Sequence, residues 1–206
     1  VEARSTYHHG DLRRALLDAT LKLVDERGPH GFTLRAAARE AGVTAAATYH
    51  HFEDKDALLA AVAEEGFVDF RRFLEDAASR SADSERERSR NVGVAYVLFA
   101  VQNPTRFRTM VGFGVQSRMQ HGDLASTAIA TYATVRDVVV EGLRRTPDEA
   151  ISASEVLGWW SMAHGLALLA IEGHLGPLGN SSRVDRVVRG VLDAMDTRER
   201  LASPTR

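Results

Sequence analysis

The chain has 206 residues, enough for one or two packed domains, and 44% of them are hydrophobic, an ordinary share for a soluble globular protein. It contains no cysteine, which excludes disulfides, zinc–thiolate sites, cysteine-held iron–sulfur clusters and thiol catalysis. The formal net charge of −2 speaks against a polyanionic partner held by bulk charge, and residues 1–60 do not change that, with eight basic against nine acidic side chains.

In chain order the sequence reads as helix throughout; no stretch alternates with the two-residue period of a half-buried strand. Residues 1–10 are polar and lack an apolar segment, which predicts no signal peptide. Leu12, Leu16, Ala19 and Leu23 recur at helical spacing until Gly28 and Pro29 stop the helix. Thr33 caps a short helix over 34–41, Gly42 turns the chain, and Thr44 caps a helix reaching about His51. Asp54 caps a long fourth helix from Lys55 to about Ala78, whose apolar positions include Leu58, Leu59, Val62, Phe70, Phe73 and Leu74. The polar segment 79–90 holds a helix junction, and the next helix runs to about Gln102. Asn103 and Pro104 start a short helix, since proline in the first position loses no needed hydrogen bond; it ends near Gly112 or Gly114. A loop around His121 and Gly122 follows. Helices over 123–145, 149–174 and 182–200 complete an all-α chain of about nine helices: a three-helix unit over 1–62 and a larger helical domain over 63–206. The apolar stretch 156–171 is broken by Ser161, His164 and two glycines and falls short of the ~20 residues of a membrane span. These features predict a soluble cytoplasmic protein with no membrane partner.

Segment 33–52, TLRAAAREAGVTAAATYHHF, has the spacing of a helix-turn-helix. Ala38 sits where the two helices cross and a larger side chain would hold them apart. Gly42 supplies the turn, Val43 tucks it into the core, and Ala41 and Ala47 allow close packing. The second helix is then free to enter a DNA major groove with its first residues toward base edges.

Three blocks, YHHGDLRRALLDATLKLVDERG, TLRAAAREAGV and TYHHFEDKDALLAAV, match in order and spacing the N-terminal domain of TetR/AcrR-type transcriptional regulators, which this region resembles from about Tyr7 to Val62. The resemblance implies that Thr33 and Thr44 cap the motif helices and touch phosphates, that Tyr49 and His50 lie at the DNA backbone, and that Lys55 meets a phosphate. His51 and Phe52 look structural. The second helix departs from the family where many members carry a long polar side chain at or beside Ala45, and Thr48 stands where leucine or proline is usual. Few direct base contacts are therefore expected, from Thr44, Ala45, Ala46 and Thr48, with alanine limited to apolar contact such as a thymine methyl. Arg4 and Arg35 are additional DNA candidates.

Further on, GWWSMAHGLALLAIEG resembles a C-terminal subtype of the same family marked by Trp-x-x-x-His-Gly, here Trp160, His164 and Gly165. Trp160 and His164 share a helix face. They read either as a packed aromatic beside a hydrogen-bonded core histidine or as part of a ligand pocket. By the resemblance, family members bind small, mostly apolar effectors in this domain. The candidate lining residues are Phe70, Phe73, Tyr96, Phe99, Phe107, Met110, Phe113, Tyr132, Trp159, Met162 and His164. Each also reads as ordinary core.

The final helix carries a wide apolar stripe, and Gly158 and Gly165 allow close helix approach, so the last two helices are the expected homodimer surface. A two-fold dimer predicts a palindromic double-stranded operator. The leading reading is a ligand-responsive repressor with an effector of unknown identity, its long fourth helix serving as the lever between domains. A DNA-binding protein or activator without an effector is the alternative. No Ser/His/Asp set, metal-ligand cluster, phosphate loop or carboxylate pair suggests an enzyme, a metal or a cofactor.

Overall fold

The computed structural model describes residues 9–80, 83–112, 114–144, 146, 148–176 and 181–202. Within them the chain forms ten helices and no strand. In order they are α1 (His9–Arg27), α2 (Leu34–Glu40), α3 (Ala45–His51), α4 (Lys55–Ser79), α5 (Glu85–Gln102), α6 (Pro104–Val111), α7 (Val115–Arg118), α8 (Leu124–Leu143), α9 (Ala153–Ile171) and α10 (Ser181–Ala202).

The tenth helix is α7, which falls where the sequence predicts a loop. Four residues are too short to show a helical period. Val115 and Met119 nevertheless pack together against a small core of Ala60, Ala63 and Leu124. The α9 helix begins at Ala153 rather than at Glu149. Its start is set by a capping box in which Ser152 Oγ accepts from the Glu155 N–H and the Glu155 carboxylate accepts from the Ser152 N–H.

The chain divides into two compact units. The first joins Val1–Phe67 with Thr105–Ala128, and the second joins Val68–Pro104 with Ile129–Arg206. Segment 105–128, which the sequence reading assigned to the larger domain, thus packs with the first.

In the first unit, α1 to α4 close around Leu16, Leu17, Leu23, Phe32, Leu34, Phe52, Leu58, Leu59 and Val62. Each fully buried leucine contributes about 1.5–3 kcal/mol. At 100° per residue, Leu58 and Val62 face this core, whereas Ala60 and Ala63 turn to the other side of α4 and meet Leu124. Met110 presses on the same helix so closely that a Cβ at Gly66 would lie 2.7 Å from its sulfur.

In the second unit, α5 is the central helix. Val92, Val94, Ala95, Tyr96, Val97, Phe99 and Ala100 are all buried, chiefly against α9 and α10. Gly93 lets the Trp159 ring approach to 3.3 Å from where a Cβ would stand.

Candidate nucleic-acid interface

The helix-turn-helix is organised by local hydrogen bonds. Thr33 Oγ1 accepts from the Ala36 N–H at 3.2 Å, and Thr44 Oγ1 accepts from the Ala47 N–H at 3.1 Å. Both threonines are exposed, so each hydroxyl keeps its proton for an outside acceptor. Gly42 turns between the helices at φ +71°, where a side chain would be strained, and the Val43 N–H donates to the Ala38 carbonyl at 2.9 Å. Ala38 is 1% exposed at the crossing, and Val43 packs on the core.

On α3 the 100° step puts Ala45, Ala46, Tyr49 and His50 on one face. Tyr49 is half exposed, Ala46 and His50 are exposed, and Ala45 is half-buried. Thr48 lies on the opposite face. It is fully buried, and its hydroxyl donates to the Thr44 carbonyl at 3.2 Å. The expected DNA contact from Thr48 is therefore corrected: this side chain belongs to the core. The signal was present in the sequence, because the family carries leucine or proline there.

Lys55 opens α4. Its ammonium stands 5.6 Å from the centroid of the buried Phe32 ring, a cation–π contact that restrains the side chain while leaving it half-buried rather than enclosed. Arg35 is exposed on α2, and Arg39, one turn on, shares that exposed face although it is not among the residues expected from sequence to contact DNA. Arg4 lies outside the described residues.

Several acids of this near-neutral unit are already engaged. Glu40 pairs with Lys22, which holds the carboxyl below and the ammonium above its usual range. Asp54 caps α4 through the Ala57 N–H at 2.7 Å, and Asp56 pairs with Arg118. Arg35, Arg39 and Lys55 remain as cations around the motif. Beside the C-terminal end of α3, a cleft of about 470 Å³ is lined by Arg13, His50, His51, Glu53, Glu64 and His121, among others. Phe52 closes the core beneath the Arg13 guanidinium, as a structural residue should.

In the second unit several of the predicted pocket residues pack on one another. Phe70 meets Tyr96 and Phe99 at ring separations of 4.9 Å, and Phe73 meets Phe99 at 5.8 Å, so these four rings pack on one another. Trp159 is buried against α5, Met162 is half-buried, and Tyr132 is exposed beside Trp160. Phe107 and Met110 are buried in the first unit. Phe113 lies outside the described residues. An open cleft of about 970 Å³ runs between α4, α5 and α10, and Phe73 alone of the predicted set lines it.

His164 is part of a hydrogen-bonded chain. The Trp160 Nε1–H, which can only donate, gives its hydrogen bond to the Tyr96 hydroxyl at 3.1 Å. The same hydroxyl is hydrogen-bonded to His164 Nδ1 at 2.9 Å. Burial lowers the His164 pKa from the ordinary histidine value and pushes the Tyr96 phenol up.

Among the described residues no group of His, Asp and Glu could hold a metal ion, and no helix is long and apolar enough to cross a membrane.

Comparison with known proteins places these features in context. Residues 16–62 match the family described as bacterial regulatory proteins, tetR family, and residues 89–195 match the tetracyclin repressor-like C-terminal domain. The HTH-type transcriptional regulator BetI of Burkholderia thailandensis is 38% identical over 81 residues, which is 39% of this chain and 40% of that relative. The chain thus matches less than half the length of this curated relative. A structure of a protein of unknown function from Rhodococcus sp. RHA1 is 31% identical, with a TM-score of 0.73, and the match covers 93% of this chain and 96% of that one. AibR, solved in complex with isovaleryl coenzyme A and operator DNA, shares the fold at a TM-score of 0.65 and 19% identity, covering 87% of this chain and 97% of that one.

Proposed function

This chain belongs to the TetR family of bacterial regulatory proteins, whose members and relatives are transcriptional regulators rather than enzymes, and from that premise we propose that it is a dimeric, ligand-responsive repressor acting in the cytoplasm. Residues 1–62 bind a palindromic operator, and residues 63–206 dimerise and receive a small, mostly apolar effector that releases the DNA. The observation that carries this reading is the single exposed face of α3. It shows Ala45, Ala46, Tyr49 and His50 outward, with both caps exposed beside it and Thr48 turned to the core. Such a face offers hydroxyl, phenol and imidazole groups to phosphates and only methyl groups to bases, so selectivity leans on DNA shape and half-site spacing.

The dimer surface is α9 and α10. Among the described residues, apart from chain neighbours and the helix's own backbone, nothing lies within 4 Å of where a Cβ would stand at Gly158 or Gly165, and Leu157, Leu168, Leu169 and Met195 are exposed. A second copy would cover these groups. The effector role draws support from AibR, which has this fold and was solved in complex with isovaleryl coenzyme A and operator DNA. A DNA-binding protein or activator without an effector is the second reading. It is favoured by the mutual packing of Phe70, Phe73, Tyr96 and Phe99.

Selection of duplexes from a random-sequence pool tests the proposal. Two inverted half-sites should emerge, and Tyr49→Ala should weaken binding to every selected duplex to a similar degree. Substituting Ala45 or Ala46 should change which duplex is preferred. Unchanged affinity after Tyr49→Ala would show that α3 is misplaced as the DNA-facing helix. If apolar compounds bind but leave DNA affinity unchanged, the second reading replaces the first.

A further inference from the structure

Among the described residues, Arg118 is the one charged side chain in the buried interior, with 3% of its side chain exposed. A guanidinium cannot shed its proton, so its burial demands a countercharge. That countercharge is Asp56, whose Oδ1 accepts from Arg118 Nε at 3.3 Å and whose side chain is half exposed. The chain makes room for the arrangement at Gly114, which has φ +81° and would, with a Cβ, stand 3.1 Å from Arg118 Nη2. The four-residue α7 is thereby shaped around one cation, and that cation reaches the second residue of α4.

The first turn of α4 is consequently held at three successive residues. Asp54 caps it, Lys55 lies against the Phe32 ring, and Asp56 is drawn to Arg118. Side chains one residue apart point 100° apart, so the three restraints act from different directions. The segment 105–128 adds a second polar hold, where the Thr105 hydroxyl donates to Asp25 of α1.

We propose that Arg118, through its buried ion pair with Asp56, is a positioning residue for DNA binding: it fixes the start of α4 and so aims Lys55 at a DNA phosphate. This inference rests on the phosphate role assigned to Lys55. It makes the DNA-binding unit a composite, completed by a segment far along the chain from the helix-turn-helix.

The test uses the full chain and a duplex enriched from a random-sequence pool by the unmodified protein. Affinity is measured against salt, because each phosphate contact contributes about 0.9 to the slope of log affinity on log salt. Lys55→Ala should lower that slope by about one contact. Arg118→Met should lower it by the same amount and weaken binding about tenfold at low salt. Adding Lys55→Ala to Arg118→Met should then cost nothing more, since the two act through one contact. Should Arg118→Met fail to fold, Asp56→Asn carries the same expectation.

An unchanged slope in a folded Arg118→Met or Asp56→Asn variant, with affinity reduced only by the inactive fraction, overturns the proposal. Independent losses in the double variant overturn it too. If Lys55→Ala itself leaves the slope unchanged, the phosphate role of Lys55 falls and the proposal falls with it. A slope lowered by Lys55→Ala but not by Arg118→Met removes only the positioning role.

Discussion

The helix-turn-helix and the α5–α9 region place their polar groups in opposite ways. In the first, hydroxyls sit at helix starts and bond to backbone three residues on, as Thr33 and Thr44 do, with the remaining donors facing outward. In the second, Tyr96 is buried and bonds to Trp160 and His164, each more than sixty residues further along the chain. The first arrangement tolerates loss of a partner because water replaces it. The second does not, because a stranded group inside the protein keeps its desolvation cost. The surface motif is therefore suited to meeting DNA, and the interior chain is suited to holding two helices in one register.

Removing the shared hydroxyl should show the contrast at its largest. Tyr96→Phe removes the hydroxyl that bonds both His164 Nδ1 and the Trp160 N–H. It should cost about 1–3 kcal/mol, read as a fall in Tm. A loss no greater than that of a surface substitution would break the comparison.

Acidification probes the same chain more gently. Burial depresses the folded-state pKa of His164, so the unfolded state takes up a proton first as the pH falls. The stabilisation is thus complete above the ordinary histidine value near 6.5 and is lost as pH falls from there toward the depressed folded value. One proton limits the slope from this group to about 1.4 kcal/mol per pH unit, and solvent screening of the half-exposed ring keeps it lower. Denaturation midpoints measured across that range in the parent and in His164→Gln should differ in slope.

On the surface side, Thr44→Ala removes one cap and should cost about 1 kcal/mol, with DNA binding weakened as well. Urea titration and DNA titration of one variant check both effects. The smallest effect is expected at Thr48→Val. The Thr44 carbonyl also accepts from the Thr48 N–H at 3.1 Å, so losing the hydroxyl strands nothing, and stability should move by no more than about 0.5 kcal/mol. Operator preference should not change. A shifted preference would return Thr48 to the DNA face.

The two regions also differ in how far sequence reading reached. Caps, the Gly42 turn and the Ala38 crossing are set by residues a few positions apart, so their spacing announces them. The Pro104 helix start is equally local. Thr48 departs from expectation because a short polar side chain reads as exposed until the helix face is known. The ring cluster of Phe70, Tyr96 and Phe99 was seen as a candidate lining, but whether rings pack together or surround a space depends on helix angles that no spacing encodes.

Sequence alone determined that the chain is helical, that residues 33–52 form a helix-turn-helix, and which residues cap its helices, because hydrogen bonds between near neighbours and the 3.6-residue period are written locally. Tertiary structure decided the rest. It turned Thr48 inward, joined Tyr96 to Trp160 and His164, and buried Arg118 against Asp56. Those outcomes depend on which faces of distant helices meet, and burial and pairing are properties of that meeting rather than of any residue's neighbours in the chain.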